Sequence, residues 1–121
     1  MASRTTYTPS PGRPHRSDKA SIQDALEFLP PEDLQAIAQT ARNLEIDPRL
    51  LFAIIHFESG GTFDPAVREG TGKSTATGII QFVVPTAREL GVRGDSEEDI
   101  RDALAAMTFQ EQLDLTEKYF N

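Results

Sequence analysis

Leu50-Leu51-Phe52-Ala53-Ile54-Ile55-His56-Phe57-Glu58-Ser59-Gly60-Gly61 is the stretch that decides the architecture. From Leu50 to Phe57 every position except His56 is apolar, so a helix built from it is greasy on nearly every side and belongs in the centre of a domain. Asp47-Pro48 supplies a start signal, and the two glycines supply a stop. A carboxylate, Glu58, stands where the apolar run ends.

Outward from this helix the chain reads as more helices. Upstream, Ser21 caps a short one with Asp24 three residues on, and Ile22, Ala25, Leu26 and Leu29 form its apolar stripe. Pro30-Pro31 stops it. Pro31 then suits the first turn of a second helix, with Glu32 and Asp33 near its positive end and Leu34, Ile37, Ala38, Ala41 and Leu44 repeating at helical spacing. Downstream, residues 59–84 are dense in Gly, Thr and Ser, a long loop of the kind that usually carries function. A short extended piece is expected between Ile79 and Val84. Pro85 opens a helix through Leu90 that Gly91 closes. Ser96 with Asp99 caps the next, carrying Ile100, Leu104 and Met107. Thr108 with Glu111 caps the last, carrying Leu113, Leu115, Tyr119 and Phe120. The expected fold class is mainly α, with a long active-site loop and at most a minimal β element.

The length of 121 residues and an apolar content of 38% fit one small domain with a modest core. Residues 1–20 are rich in Pro, Ser, Thr and Arg without apolar period and read as a flexible basic arm, leaving 21–121 as the domain. Arg4, Arg13, Arg16 and Lys19 against Asp18 give the arm about +3 of the chain's net −7, which leaves the body near −10. An acidic body argues against nucleic-acid binding. No apolar run is long enough to span a bilayer, and the N-terminus lacks the apolar core of a secretion signal. Cysteine is absent, which excludes disulfides and thiolate metal sites.

Glu58 is the strongest candidate for chemistry. Unpaired carbonyls at a helix C-terminus disfavour a carboxylate, and so does partial burial beside Phe57 and Phe63. Both favour the protonated form that a general acid needs. The bland alternative is a solvated glutamate at a helix end. Ser59, Thr62, Ser74, Thr75, Thr77 and Gln81 of the long loop can donate and accept hydrogen bonds, as a sugar site requires, although any loop of this composition would offer the same groups. Gly72-Lys73-Ser74 has the ending of a phosphate-binding loop, but Val67 occupies the place of its first glycine, which rejects a nucleotide site. His15 and His56 have no metal-ligand spacing, and two histidines give no basis for a Ser-His-Asp arrangement.

The tract Ile54-Ile55-His56-Phe57-Glu58-Ser59-Gly60-Gly61-Thr62-Phe63-Asp64-Pro65, then Ala76-Thr77-Gly78-Ile79-Ile80-Gln81-Phe82, then Pro85-Thr86-Ala87, resembles the soluble lytic transglycosylases of the lysozyme-like superfamily, in the flavour of phage and tail-associated peptidoglycan hydrolases. Met107-Thr108-Phe109-Gln110-Glu111-Gln112-Leu113 and Glu117-Lys118-Tyr119-Phe120 are similar to the continuation in those phage proteins. The likeness spans roughly residues 34–121, and the order and separation of the tracts make it fairly specific.

By this resemblance Glu58 is the single catalytic glutamate, and Ser59 supports it and the substrate. Gly78, Ile80 and Gln81 line the sugar cleft, with Gln81 bonding the glycan. Phe63, Pro65 and Phe82 are structural walls. The implied reaction is cleavage of the bond between N-acetylmuramic acid and N-acetylglucosamine. Glu58 protonates the linking oxygen and the substrate acetamido group stabilises the cation. Glu58 then takes the proton of the muramic 6-hydroxyl, which closes a 1,6-anhydro ring without water. Asp64 as a second carboxylate would instead give a hydrolytic muramidase; its expected role is to brace the turn at Pro65. No cofactor and no metal is implied. Peptidoglycan strands and other virion proteins are the implied partners, with delivery in a virion and local wall cutting during genome entry. A non-catalytic glycan-binding or structural virion component is the alternative.

The sequence departs from the family pattern twice. Pro85 follows Gln81 by four residues where many relatives have three, so a helix start shifted by one position is expected. Relatives usually continue with a helical segment that brings a tyrosine into the cleft, whereas this sequence ends at Asn121. A truncated domain is therefore expected, its cleft incomplete, completed by a partner, or belonging to a longer parent protein. Tyr119 matches a packing position, not that tyrosine.

Overall fold

A computed structural model describes residues 21–69 and 75–121. The arm over 1–20 lies outside the described residues, as do Ser74 and the Gly72-Lys73-Ser74 segment. Among the described residues are six helices and one two-stranded sheet: α1 (Ile22–Phe28), α2 (Pro31–Leu44), α3 (Pro48–Glu58), β1 (Arg68–Glu69), β2 (Ala76–Thr77), α4 (Val84–Glu89), α5 (Glu97–Ala105) and α6 (Phe109–Phe120). The fold is mainly α with a minimal β element, as expected.

The helix starts follow from side chains that satisfy the first free amides. Ser21, Ser96 and Thr108 each accept from the backbone amide three residues on, and Asp24, Asp99 and Glu111 reach back to the cap amide, so α1, α5 and α6 all open on reciprocal boxes. Pro31 and Pro48 occupy first turns, where no amide hydrogen is missed. Helix α4 starts at Val84, one residue before Pro85, and Gly91 closes it at φ +99°.

Helix α2 packs chiefly on α6 and next on α3, and α1 also lies on α3; α4 and β2 pack on α5. The core runs from Ala25 to Leu115 and draws on every helix, with Leu51, Ile55, Phe63, Ile79, Ile100 and Leu104 fully enclosed. Asn43 of α2 donates to Glu117 of α6 at 3.0 Å on the outer edge of that pairing.

Two expectations need correction. Helix α3 is not apolar-buried all round. Leu51, Phe52 and Ile55 are buried, but Leu50 is half exposed and Phe57 is 78% exposed. Helices α1 and α2 and the ring of Phe63 cover one side of α3, and the face carrying Leu50 and Phe57 is left outside. The extended piece is confined to Phe82 and Val83, and the paired strands lie upstream of it. Ile79, Ile80 and Gln81 form a turn, and the strands are Arg68–Glu69 and Ala76–Thr77, paired antiparallel with Arg68 opposite Thr77. Phe82 adds only an isolated bridge back to Thr77. The reason is Gly78 at φ +104° and Gln81 at φ +58°, which fold the chain over instead of letting it run straight.

Candidate active site

Glu58 is the last residue of α3, three residues past Ile55 and seven past Leu51. That spacing puts it on the stripe that α3 turns toward the core, at the point where the stripe meets the surface. It is half-buried, whereas Phe57, one position earlier and rotated by about 100°, points outward. Phe57 is thus no wall beside the carboxyl, contrary to the expectation from its adjacency. Among the described residues the Glu58 side chain takes part in no hydrogen bond or ion pair.

The turn after Glu58 is built by glycine and serine together. Gly60 at φ +66° and Gly61 at φ +82° reverse the chain, and the Gly61 amide donates to the His56 carbonyl at 2.8 Å, the long closing bond of a glycine helix stop. Ser59 is fully buried. Its hydroxyl accepts from the Phe63 amide at 2.9 Å, and its carbonyl accepts from the Thr62 hydroxyl at 2.8 Å. Phe63, held at φ +54°, is enclosed between rings: Phe52 at 4.9 Å, Phe28 and His56 each at 6.1 Å between centroids. A phenylalanine in the left-handed region is unfavourable by itself and persists because its ring is clamped on three sides. Asp64 is fully buried, and its Oδ1 accepts from the Ala66 amide at 2.8 Å, bracing the turn at Pro65.

The other candidate site residues lie on the turn Gly78–Gln81. The Gly78 amide donates to the Val67 carbonyl at 2.8 Å, which hangs this turn on the segment that descends from Glu58. Gln81 also sits in the left-handed region, and its Nε2 donates to the carbonyls of Gly78 at 2.8 Å and Val67 at 3.2 Å. Its Oε1 is buried without a partner among the described residues. Ile79 is fully enclosed and Ile80 is 9% exposed. The structure therefore places Glu58 and Ser59 on one segment, Gly78, Ile80 and Gln81 on the other, and joins the two through Val67.

The loop hydroxyls turn inward. Ser59, Thr62, Thr75 and Thr77 are all buried. The Ser59 and Thr62 hydroxyls serve the loop's own backbone, while Thr77 Oγ1 is buried without a partner among the described residues. Two residues that hold the site were not singled out from the sequence. Arg68 on β1 donates to Glu98 and Asp102 of α5, each at 2.8 Å, fixing the sheet to that helix. Burial alone would lower its pKa, but hydrogen bonds to the two carboxylates outweigh that and raise it, so the guanidinium stays charged. Gln112 of α6 is fully buried, and its Oε1 accepts from the Ile79 amide at 2.9 Å. A signal for it existed: Phe109, Gln112, Leu113 and Thr116 share the core-facing stripe of α6, where an amide is out of place unless something binds it.

Concavities among the described residues lie away from Glu58. An apolar groove of about 450 Å³ lies between α1, α2 and the start of α3, lined by Leu26, Leu34 and Phe52 among others. Arg49, on its rim, precedes Glu58 by nine residues, or about 14 Å of helix. Among the described residues no group of His, Cys, Asp or Glu is placed to hold a metal ion, and no helix is long and apolar enough to cross a membrane.

A family model described as the Transglycosylase SLT domain matches residues 35–110, which include Glu58 and the whole Gly78–Gln81 turn. No curated protein and no solved structure matches the chain.

Proposed function

The chain belongs to the SLT transglycosylase domain family, and on that premise we propose that Glu58 is the sole acid and base of a lytic transglycosylase that cuts the N-acetylmuramic acid to N-acetylglucosamine bond. Family membership implies a transglycosylase-type enzyme acting on peptidoglycan. The observation that carries the finer reading is the seat of Glu58. It ends the core-facing stripe of α3, half-buried, with no partner among the described residues, and its turn is tied to the Gly78–Gln81 turn through Val67. A carboxyl so placed is fixed in position yet free to meet a substrate oxygen.

In this reading Glu58 first gives its proton to the bridging oxygen as the glycosidic bond breaks. The muramic acetamido oxygen shares the positive charge at the sugar carbon. Glu58, now a carboxylate, takes the proton of the 6-hydroxyl as that oxygen bonds to the same carbon, which restores the acid and leaves an anhydro end. Asp64, enclosed and bonded to the Ala66 amide, is turned away from the role of second carboxylate, which favours this route over a hydrolytic one. Ser59 acts through the turn that it ties to Phe63. The Gly78–Gln81 turn, with Ile80 at its edge, forms the opposing wall for the glycan.

The likeness of the tracts to phage tail-associated hydrolases supports a virion-borne enzyme that opens the wall locally at genome entry. Applied to intact cells from outside, such an enzyme releases wall fragments without a bacterial export system.

The reading is tested by incubating purified peptidoglycan with the wild type and with Glu58→Gln, and following soluble fragments. The variant is expected to lose about 100-fold or more of the rate, the usual contribution of a positioned acid or base. A Glu58→Gln protein that releases fragments at the wild-type rate contradicts the assignment. A wild type that pellets with the wall but releases nothing points to a glycan-binding component instead.

A further inference from the structure

We infer that Gln112 is a positioning residue for the cleavage, setting from helix α6 the distance between the Glu58 segment and the Gly78–Gln81 turn. This rests on the reading of those two segments as the reaction centre.

The Gln112 side chain is fully enclosed, so it is not a substrate contact. Its amide makes three hydrogen bonds to three separate stretches of backbone. Oε1 accepts from the Ile79 amide at 2.9 Å, and Nε2 donates to the Pro65 carbonyl at 2.9 Å and the Leu104 carbonyl at 2.7 Å. Ile79 belongs to the glycan-side turn. Pro65 lies seven residues past Glu58, on the segment hung from Ser59. Leu104 anchors both to the last turn of α5. The Thr77–Phe82 bridge closes the turn locally and the Gly78–Val67 bond ties it to the neighbouring segment, but the Gln112 amide ties both loop segments to α5 and α6 at once.

Gly78 shows how closely the turn and the amide are fitted. A β-carbon there would stand 2.4 Å from Gln112 Oε1, and the backbone is at φ +104°. The turn can approach the amide only because residue 78 has no side chain. An apolar residue of equal volume at position 112 would fill the same space and suit the neighbouring Phe109 and Leu113. It would leave one amide and two carbonyls buried without these partners, and the turn free to settle elsewhere. Cleavage by a single carboxyl is sensitive to such displacement, because the acid and the sugar oxygen must meet within a narrow geometry.

The test compares Gln112→Met, which keeps volume and removes all three bonds, with Gln112→Glu, which keeps the acceptor for Ile79 and, when protonated, one donor. Both are assayed on soluble, peptide-free glycan strands at a temperature where circular dichroism shows them folded. Amide exchange at Ile79 is followed by NMR against amides of α2. Expected are a fall in kcat of roughly tenfold or more for Met, a KM within about threefold of wild type, partial recovery for Glu, and faster exchange at Ile79 in the Met variant alone. A Met variant with wild-type kcat, or Met and Glu variants equally impaired, overturns the inference. If the wild type itself cleaves nothing, the reading of Glu58 fails. The inference is then judged by exchange: unchanged protection of Ile79 in the Met variant overturns it, and selective loss upholds the positioning. Should Gln112→Met not fold, Gly78→Ala displaces the same amide from the other side and is expected to reproduce the kcat loss, and wild-type kcat there is contrary.

Discussion

Helix phase separates Glu58 from Phe57: a rotation of about 100° leaves the ring 78% exposed and the carboxyl at the edge of the core. At the scale of single residues, three non-glycine positions among the described residues adopt left-handed backbone, Glu45, Phe63 and Gln81. The last two flank the candidate site, and each is held in place, by packing at Phe63 and by two carbonyls at Gln81. Backbone strain kept where the surroundings enforce it is what a preorganised site looks like. Glu45 differs, because it is an exposed C-cap of α2 at φ +59° that no clamp requires. Replacing it with glycine is therefore expected to raise stability by about 0.5–1 kcal/mol, read as a higher urea midpoint, with catalysis untouched. A lower midpoint would mean that Glu45 is held by contacts beyond its backbone. Neither the Phe63 nor the Gln81 conformation was legible in the sequence, since both residues favour negative φ and only the folded neighbours impose the reverse.

Element boundaries were the most legible feature, because caps are local chemistry. Ser21 with Asp24, Ser96 with Asp99 and Thr108 with Glu111 are read from residue type and spacing alone, and all three boxes form. Asp47 caps α3 and pairs with Arg49 across the first turn. The Arg49 side chain, then its backbone amide, bonds the carboxylate and holds its pKa below the ordinary 3.8. A lowered folded pKa means that the stabilisation is present above 3.8 and is lost as pH falls through the lowered value. Asp47→Asn, which still caps but carries no charge, should therefore melt below the wild type at neutral pH, the two converging as pH drops well under 3.8. A gap that persists in acid would assign the effect to hydrogen-bond geometry and not to charge. The loop over residues 59–84 resisted sequence reading for the opposite reason. Its polar side chains were expected at a sugar, but a segment with so little sheet or helix must use them on its own amides, and Ser59, Thr62 and Asp64 do.

Across the whole molecule, the site depends on long-range ties that spacing cannot display. Arg68 joins β1 to α5 across 30 and 34 residues of chain, Gln112 joins α6 to both candidate site segments, and Phe63 joins the turn after Glu58 to α1 and α3. The apolar stripes of α2 and α5 predicted which faces meet, whereas on α6 only Leu113 and Leu115 of the expected stripe are buried and Tyr119 and Phe120 are exposed; the identity of the partners emerged only with the packing. Phe63→Ala removes the ring at the meeting point and should cost about 3–5 kcal/mol, seen in denaturant melts. A loss under about 1 kcal/mol would show that the site turn is not anchored through that ring. In the proposed reaction one carboxyl, served by a buried framework, both starts and finishes the cut. The most direct test is the mass of the fragments released from purified peptidoglycan. Ends lighter by one water than hydrolytic products, present with the wild type and lost with Glu58→Gln, are predicted. Water-added reducing ends from the wild type would contradict it.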